Sequence, residues 1–133
     1  MKTLYIVRGL PGSGKSSLAK KVTELVYSAD DFFTNKKGEY NFNAKLLGKA
    51  HEWCWGKVRD AMFIGAEAVA VANTFTQAWE AEKYYQIAEE YGYSVFVIEC
   101  QNDFGNVHDV PQESIDAMKK RWEKDLTPVG NLS

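Results

Sequence analysis

The sequence has few cysteines and no long apolar segment. Its 133 residues include two cysteines and three prolines. Cys54 and Cys100 are far apart and lack the CxxC or Cys/His spacing of a metal or redox site, which predicts two buried thiols in a reducing compartment. No run approaches the ~18 apolar residues of a membrane span, and the apolar run at 4–7 is too short for a signal peptide. We therefore expect a cytoplasmic protein without membrane contacts.

An excess of positive charge is also absent. The chain carries 16 basic and 18 acidic residues, a net charge of −2. This balance argues against a protein that coats duplex nucleic acid or anionic lipid, so any contact with nucleic acid must be local. The length and an apolar fraction of 45% predict one globular domain, residues 1–133. Aromatic residues make up 14% of the chain, more than a small core requires.

Short apolar runs alternate with helical patterns along the chain. We predict strands over 4–7, 26–28, 68–72 and 94–100. We predict helices over 15–25, 43–65, 77–91 and 111–124. The run 68–72 is apolar throughout, as expected for a strand of a parallel sheet that is buried on both faces. The pattern predicts an α/β three-layer sandwich with a short parallel sheet of about four strands flanked by helices.

The segment Gly9–Ser16 matches the pattern G-x-x-x-x-G-K-[ST], between a predicted strand and a predicted helix. Its backbone N–H groups and the helix N-terminus can surround a phosphate. Lys15 adds a cation for the β- and γ-phosphates, and the Ser16 hydroxyl can ligate Mg²⁺. This predicts a P-loop NTPase fold that uses ATP and Mg²⁺. The predicted nucleotide-binding residues are Gly9, Pro11, Gly12, Ser13, Gly14, Lys15, Ser16 and Ser17.

Two aspartates follow the second predicted strand. In a parallel sheet the carboxyl ends of neighbouring strands meet at one crevice, so Asp30 and Asp31 should lie near the γ-phosphate. A carboxylate there could accept the proton of an attacking hydroxyl or help to hold Mg²⁺ through water. Capping of a helix start is the alternative, and it explains Asp31 better than Asp30. We predict Asp30 as catalytic and Asp31 as a substrate contact.

Aromatic and basic residues alternate between Phe32 and Phe42. Rings with nearby cations can hold a single strand by stacking on its bases, and this segment directly follows Asp30. We therefore predict a substrate contact at Phe33, in a cluster with Phe32, Tyr40 and Phe42. Packing against the long helix is an equal alternative, which explains Phe32 and Phe42 as well. His51 is interpreted as a packing residue of the long helix, and His108 as a residue of the loop 101–110.

The chain resembles the polynucleotide-kinase-like P-loop kinases, a group of small kinases within the AAA-type ATPases. The resemblance rests on Arg8–Ser16, on 29–32, on 73–80, and on 106–111 with 118–122. It implies transfer of the γ-phosphate of ATP to a hydroxyl, with Lys15 on the phosphates, Ser16 on Mg²⁺ and Asp30 as general base. It further implies that Asn73 and Thr74 contact the acceptor or nucleotide, although capping by Thr74 or Thr76 is the alternative.

Several positions depart from the pattern of that family. Ala72 replaces an acidic residue, and Phe33 stands where an arginine holds the acceptor phosphate in relatives. The predicted lid, residues 101–110, contains no arginine, and Gly105 stands where relatives often have one. Arg121 and Arg8 are the candidates to replace it, and we predict Arg121 as a substrate contact. A solvated basic helix face is the alternative for Arg121.

Three functions are compatible with these features. The first is an ATP-dependent kinase acting on the 5′-hydroxyl of a short single-stranded nucleic acid or a nucleoside-like acceptor. The second, a nucleoside or nucleotide kinase, differs only in the acceptor. The third is a nucleotide-binding module with little transfer activity that depends on a partner. The absent lid arginine and Ala72 motivate the third.

Overall fold

A parallel sheet of four strands in the order β2-β3-β1-β4 forms the centre of the protein. The structure is a computed structural model, and it describes residues 1–102 and 110–128. The strands are β1 (Thr3–Gly9), β2 (Val26–Tyr27), β3 (Ala68–Asn73) and β4 (Ser94–Cys100). The helices are α1 (Lys15–Val22), α2 (Leu47–Phe63), α3 (Ala78–Tyr91) and α4 (Gln112–Arg121). This confirms the predicted α/β fold with a short parallel sheet.

Strand β1 lies in the middle of the sheet, and its neighbours come from distant parts of the chain. Tyr5 is paired with Ala70 of β3 on one side and with Phe96 of β4 on the other. Helix α1 packs against β1 and β3 on one face, while α2 and α3 pack together on the other. Because all four strands are parallel, their carboxyl ends lie at one edge of the sheet.

The long second helix begins differently from the prediction. Asn43 does cap a helical start, since its side-chain oxygen accepts a hydrogen bond from the backbone N–H of Lys45 at 3.0 Å. The first turn, Ala44–Leu46, is a 3₁₀ helix, and the α-helix starts only at Leu47. The buried residues of α2 are Ala50, Cys54, Val58, Ala61 and Met62.

The C-terminal helix ends earlier than the prediction. Helix α4 stops at Arg121, because the backbone N–H of Glu123 donates to the carbonyl of Thr76 instead of continuing the helix. Of the predicted lid at 101–110, residues 103–109 lie outside the described residues, and with them Gly105 and His108. Across 1–102 and 110–128, no helix combines the length and apolar character that crossing a bilayer requires.

Arg8 lies at the end of β1 and joins this strand to the β3–α3 loop, to β4 and to the segment after α4. The residue is 1% exposed. Its Nε and Nη2 donate to the carbonyl of Phe75 at 3.0 and 2.7 Å, and its Nη1 donates to the carbonyl of Lys124 at 3.3 Å. Nη1 also lies 3.4 Å from the Glu99 carboxylate, and the guanidinium lies 4.0 Å from the Trp122 ring centre. Arg8 is therefore a structural residue, which corrects its prediction as a candidate for charge stabilisation at the transferring phosphate.

Arg8 also supports an unusual backbone conformation. Phe75 has φ 46°, a left-handed conformation that side chains rarely adopt. Such a residue costs on the order of 1–3 kcal/mol and persists only where its surroundings hold it. The two hydrogen bonds from Arg8 hold the Phe75 carbonyl, and the ring of Phe75 packs edge-on against Tyr84 at 5.6 Å.

Replacing Arg8 with methionine is expected to destabilise the fold strongly. The change leaves the buried Phe75 carbonyl without its donors and Glu99 without its cation, and such losses cost about 3–5 kcal/mol. Urea unfolding followed by circular dichroism measures the effect. Arg59→Met, on α2, is the matched control and should change the free energy of unfolding by less than about 1 kcal/mol. Equal stability of both variants would contradict this role.

Candidate functional site

A cavity of about 980 Å³ opens at the carboxyl ends of the strands. Its wall combines the P-loop, the turn after β2, the end of β3, the end of β4 and one side of α4. Pockets in open parallel sheets form at this edge. Of the residues predicted to act on nucleotide or substrate, the cavity is lined by Pro11, Gly12, Ser13, Gly14, Lys15, Ser16, Ser17, Asp30, Asn73, Thr74 and Arg121.

The loop after β1 has the compact backbone that its glycines permit. Gly12 and Gly14 have φ of 84° and 83°, conformations that side chains rarely adopt. Gly9 does not line the cavity, but a Cβ atom there would lie 2.2 Å from the Ser13 hydroxyl, so the loop can close only over a glycine. Helix α1 then begins at Lys15, and its N-terminal N–H groups lie at the same wall.

The loop fits an anionic group such as a nucleotide phosphate. The Ser13 hydroxyl is buried and has no hydrogen-bond partner among the described residues. Such an unsatisfied polar atom is expected where a ligand supplies the missing partner. Burial lowers the pKa of Lys15, and the carboxylate of Asp30 opposes that shift. Lys15 is therefore a partly desolvated cation beside an anion-binding loop.

Few side chains near the loop could hold a divalent cation directly. Within residues 1–102 and 110–128 there is no group of three or more His, Cys, Asp or Glu with the arrangement of a metal site. The Ser16 hydroxyl and the Asp30 carboxylate line the cavity. Mg²⁺ commonly takes one or two protein oxygens and completes its shell with phosphate oxygens and water, so these residues fit that ion.

Asp30 and Asp31 have different surroundings although they are adjacent. Both belong to a 3₁₀ turn, Ala29–Phe33, that directly follows β2. The Asp31 carboxylate accepts a hydrogen bond from the backbone N–H of Ser28 at 3.1 Å and forms a capping box with that residue. Asp31 does not line the cavity, so its predicted substrate contact is corrected to a capping role. Asp30 lines the cavity and accepts a hydrogen bond from the Tyr40 hydroxyl at 3.2 Å.

Asn73 fixes the position of the turn that carries Asp30. Its side-chain oxygen accepts hydrogen bonds from the backbone N–H of Ala29 at 2.9 Å and from the Ser28 hydroxyl at 3.3 Å. Asn73 is 8% exposed and contributes to the cavity wall, as does Thr74. The end of β3 therefore determines where the Asp30 backbone lies.

Phe33 is not available to a substrate. It is 7% exposed and belongs to a small core with Ala29 and Ala50, so the packing alternative is correct for this ring. Tyr40 and Phe42 line the cavity instead, and Phe42 is 52% exposed. Thr34 and Tyr40 form an antiparallel bridge, so the chain reverses direction between them. The reversal brings Tyr40 back to Asp30.

Arg121 and Glu80 also line the cavity, and both are hydrogen-bonded to one hydroxyl. The Nε of Arg121 donates to the Thr76 hydroxyl at 3.1 Å, and the Thr76 hydroxyl donates to the Glu80 carboxylate. Glu80 also accepts from the backbone N–H of Gln77 at 3.0 Å, which fixes the start of α3. The network ties the guanidinium of Arg121 to Thr76 in the β3–α3 loop, and Arg121 lines the cavity.

Sequence reasoning missed several residues of the wall. His51 was interpreted as packing, but it lines the cavity from α2. Glu80, Glu99 and Cys100 also line it. The sequence signal for Cys100 was its place at the end of β4, where the crevice of a parallel sheet forms, whereas Glu80 lies in the first turn of α3. Cys54 is buried as predicted, and burial raises the pKa of its thiol to about 11. Cys100 is only half-buried, which corrects the prediction of a buried thiol there.

The surroundings of His51 predict a pH dependence of stability. Burial lowers the pKa of His51 from 6.5, although the carboxylates of Glu80 and Asp30 oppose the shift. As pH falls below 6.5, the unfolded chain therefore binds this proton before the folded protein does, and stability decreases. In urea unfolding, wild type should lose more stability between pH 7.5 and 5.5 than His51→Gln. An equal loss in both proteins would contradict the prediction.

Three comparisons with known proteins bear on this site. A model of the AAA domain family matches residues 4–106. The chain is 33% identical over 135 residues to NEDD4-binding protein 2 of Homo sapiens, covering 91% of this chain and 8% of that protein. It is 30% identical over 131 residues to the uncharacterized protein PM0531 of Pasteurella multocida, covering 86% of this chain and 73% of that protein. This chain thus spans only a small part of the human relative.

A solved structure shares the fold. The APS kinase of Mycobacterium tuberculosis superposes with a TM-score of 0.53 and 16% sequence identity, covering 90% of this chain and 92% of that chain. The family match extends over the P-loop, the Asp30 turn and all four strands. The chain therefore belongs to the AAA domain family, and its fold is that of the small P-loop kinases.

Proposed function

We propose that the protein is an ATP-dependent kinase that phosphorylates the 5′-hydroxyl of a short single-stranded nucleic acid or a nucleoside-like acceptor. The observation that carries this proposal is the presence of Lys15 and Asp30 in one cavity, close enough for the Asp30 carboxylate to oppose the lowering of the Lys15 pKa by burial. A cation for phosphate and a carboxylate for a hydroxyl proton are two of the groups that phosphoryl transfer uses. The proposed unit is one domain, residues 1–133.

The residues of the wall have distinct parts in the proposed reaction. The loop at 9–17 and Lys15 hold the phosphates of ATP, and Ser16 holds Mg²⁺, which neutralises charge on the phosphates when bound. The acceptor hydroxyl gives its proton to the Asp30 carboxylate. Its oxygen forms a bond to the γ-phosphorus as the bond from that phosphorus to the β,γ-bridging oxygen breaks, and ADP leaves.

The basic residue that stabilises the transferring charge is proposed to be Arg121. Its Nε donates to the Thr76 hydroxyl, and the residue lines the cavity. Planar guanidinium groups bind phosphate oxygens in pairs, so Arg121 suits this task better than a lysine. Asn73 and Thr74, at the end of β3, line the same cavity as Arg121 and Asp30.

An acceptor panel tests the proposal. Purified protein with Mg²⁺ and γ-labelled ATP is incubated with oligonucleotides of DNA and RNA, dinucleotides and nucleosides, each with a 5′-hydroxyl. Label transfer to at least one of them is expected, and it should require the 5′-hydroxyl, because the 5′-phosphorylated forms should accept none. ATP binding without transfer to any acceptor would instead indicate a nucleotide-binding module, and the kinase proposal would fail.

A further inference from the structure

We propose that the acceptor is recognised through one aromatic ring, the base of its terminal nucleoside, which stacks on the rings of Tyr40 and Phe42. This inference rests on the proposed function and specifies what the same cavity selects. The two rings line the wall beside Asp30, whose carboxylate accepts the Tyr40 hydrogen bond. A base on these rings would place its sugar hydroxyl next to the proposed general base.

The rings form a supported surface. Their planes differ by 16° and their centres are 6.5 Å apart. Phe33 packs edge-on beneath both of them, with centres 6.3 Å from Tyr40 and 5.1 Å from Phe42. A buried ring thus holds two cavity-facing rings in near-parallel orientation, and Phe42 remains 52% exposed. Flat aromatic surfaces of this kind stack on bases with little preference for sequence.

The backbone before the rings is also fixed. The side-chain oxygen of Asn35 accepts hydrogen bonds from the backbone N–H groups of Lys37 and Glu39 at 2.9 and 3.0 Å. Gly38 has φ 81°, a conformation suited to the turn. Because the turn is held by its own hydrogen bonds, Tyr40 needs no substrate to reach Asp30.

Charges on this wall argue against recognition of several phosphates. The described lining residues between Tyr40 and His51 are Tyr40, Phe42, Leu47 and His51, which offer two aromatic rings, an aliphatic side chain and an imidazole. Asp30 and Glu80 line the same cavity, and their carboxylates oppose the lowering of the His51 pKa by burial. The basic lining residues Lys15, Lys21 and Arg121 lie on α1 and α4. Beside Tyr40 and Phe42 a polyanionic backbone would meet the carboxylate of Asp30, while an uncharged ring would meet apolar surface. We therefore expect acceptor affinity to reside in the terminal nucleoside.

The test compares two dinucleotide acceptors, one with a normal 5′-terminal base and one with an abasic 5′ residue. Wild type should use the abasic acceptor with a kcat/KM lower by about 5- to 150-fold, the range of one base–aromatic stack. On the normal acceptor, Phe42→Ala should lower kcat/KM by a similar factor, mainly by raising KM. On the abasic acceptor, the kcat/KM of Phe42→Ala should be close to that of wild type. Phe42→Trp should restore activity, and Phe63→Ala, at an exposed position of α2, should match wild type.

Two further measurements separate stacking from other roles. Tyr40→Phe keeps the ring and removes the hydroxyl, so KM should stay constant while kcat falls about tenfold, as for a hydrogen bond to a charged group. KM should also change little between low and moderate salt. Each acceptor phosphate held by a cation would instead add ~0.7 to the slope of log KM against log salt concentration. Equal kcat/KM of wild type on both acceptors, or equal losses of Phe42→Ala on both, would overturn the inference.

The aromatic subsite can also be tested if no acceptor is phosphorylated. The proposed function would then fail, and binding of the same dinucleotides would be measured by titration with tryptophan fluorescence. Weaker binding of the normal dinucleotide by Phe42→Ala, with no difference for the abasic one, would retain the aromatic subsite. Equal binding by both proteins would overturn it as well.

Discussion

Asp30→Asn is expected to lower kcat for phosphoryl transfer by about 10²–10⁴-fold while ATP binding is kept. The side chain retains its size, and its amide oxygen can still accept the hydrogen bond from Tyr40 that the carboxylate accepts at 3.2 Å. What is lost is the ability to take the proton of the attacking hydroxyl. Initial rates with γ-labelled ATP measure kcat, and calorimetry measures the Kd of ATP.

The adjacent aspartate provides a matched control. Asp31→Asn makes the same chemical change one residue later, where the carboxylate caps the 3₁₀ turn through the Ser28 N–H. Its side-chain oxygen can still accept that bond, so we expect kcat within a factor of about three of wild type. Full turnover by Asp30→Asn, or an equal loss in both variants, would show that the proton acceptor lies elsewhere.

Lys15→Met is expected to lower kcat by about 10²–10³-fold and to weaken ATP binding. Lys15 is the cation at the start of α1 that faces the cavity, and burial has already lowered its pKa by removing water from the ammonium group. A desolvated charge interacts strongly with a phosphate because little solvent screens it. Methionine retains the apolar stem, so loss of packing contributes little.

Lys20→Met is the control for the change in net charge. It lies on the same helix, at an exposed position that does not contribute to the cavity. Its kcat and ATP affinity should match those of wild type. A Lys15→Met variant with normal kcat would contradict the assignment of the P-loop lysine.

The sequence was most informative where chemistry depends on neighbouring residues. The P-loop could be predicted because its glycines, Lys15 and Ser16 act through the local backbone, and the structure has the expected strand, loop and helix there. The Asp30 turn could be placed because parallel strands share one crevice edge. The alternation of strands and helices was sufficient for the sheet.

The sequence was less informative where a role depends on distant contacts. Phe33 and Phe42 belong to the same aromatic segment, and only the turn at 34–40 determines that Phe33 packs on Ala50 while Phe42 faces the cavity. Arg8 adjoins the P-loop, but the segment after α4 crosses it and provides the carbonyl of Lys124 as a partner. Neither arrangement has a signal in the spacing of residues along the chain.

The position of β1 has a consequence for how the protein folds. This first strand has to pair with β3 and β4, so Tyr5 must find Ala70 and Phe96. When distant residues pair, the chain loses entropy on closing a long loop before it gains any contact. Parallel sheets are therefore slow to form. During synthesis, β1 therefore has no partner until β3 has emerged, and its second neighbour emerges only with β4. The complete sheet should therefore form only after β4 has emerged. A chain that ends before residue 94 should leave β1 without a hydrogen-bonded strand on the side of β4.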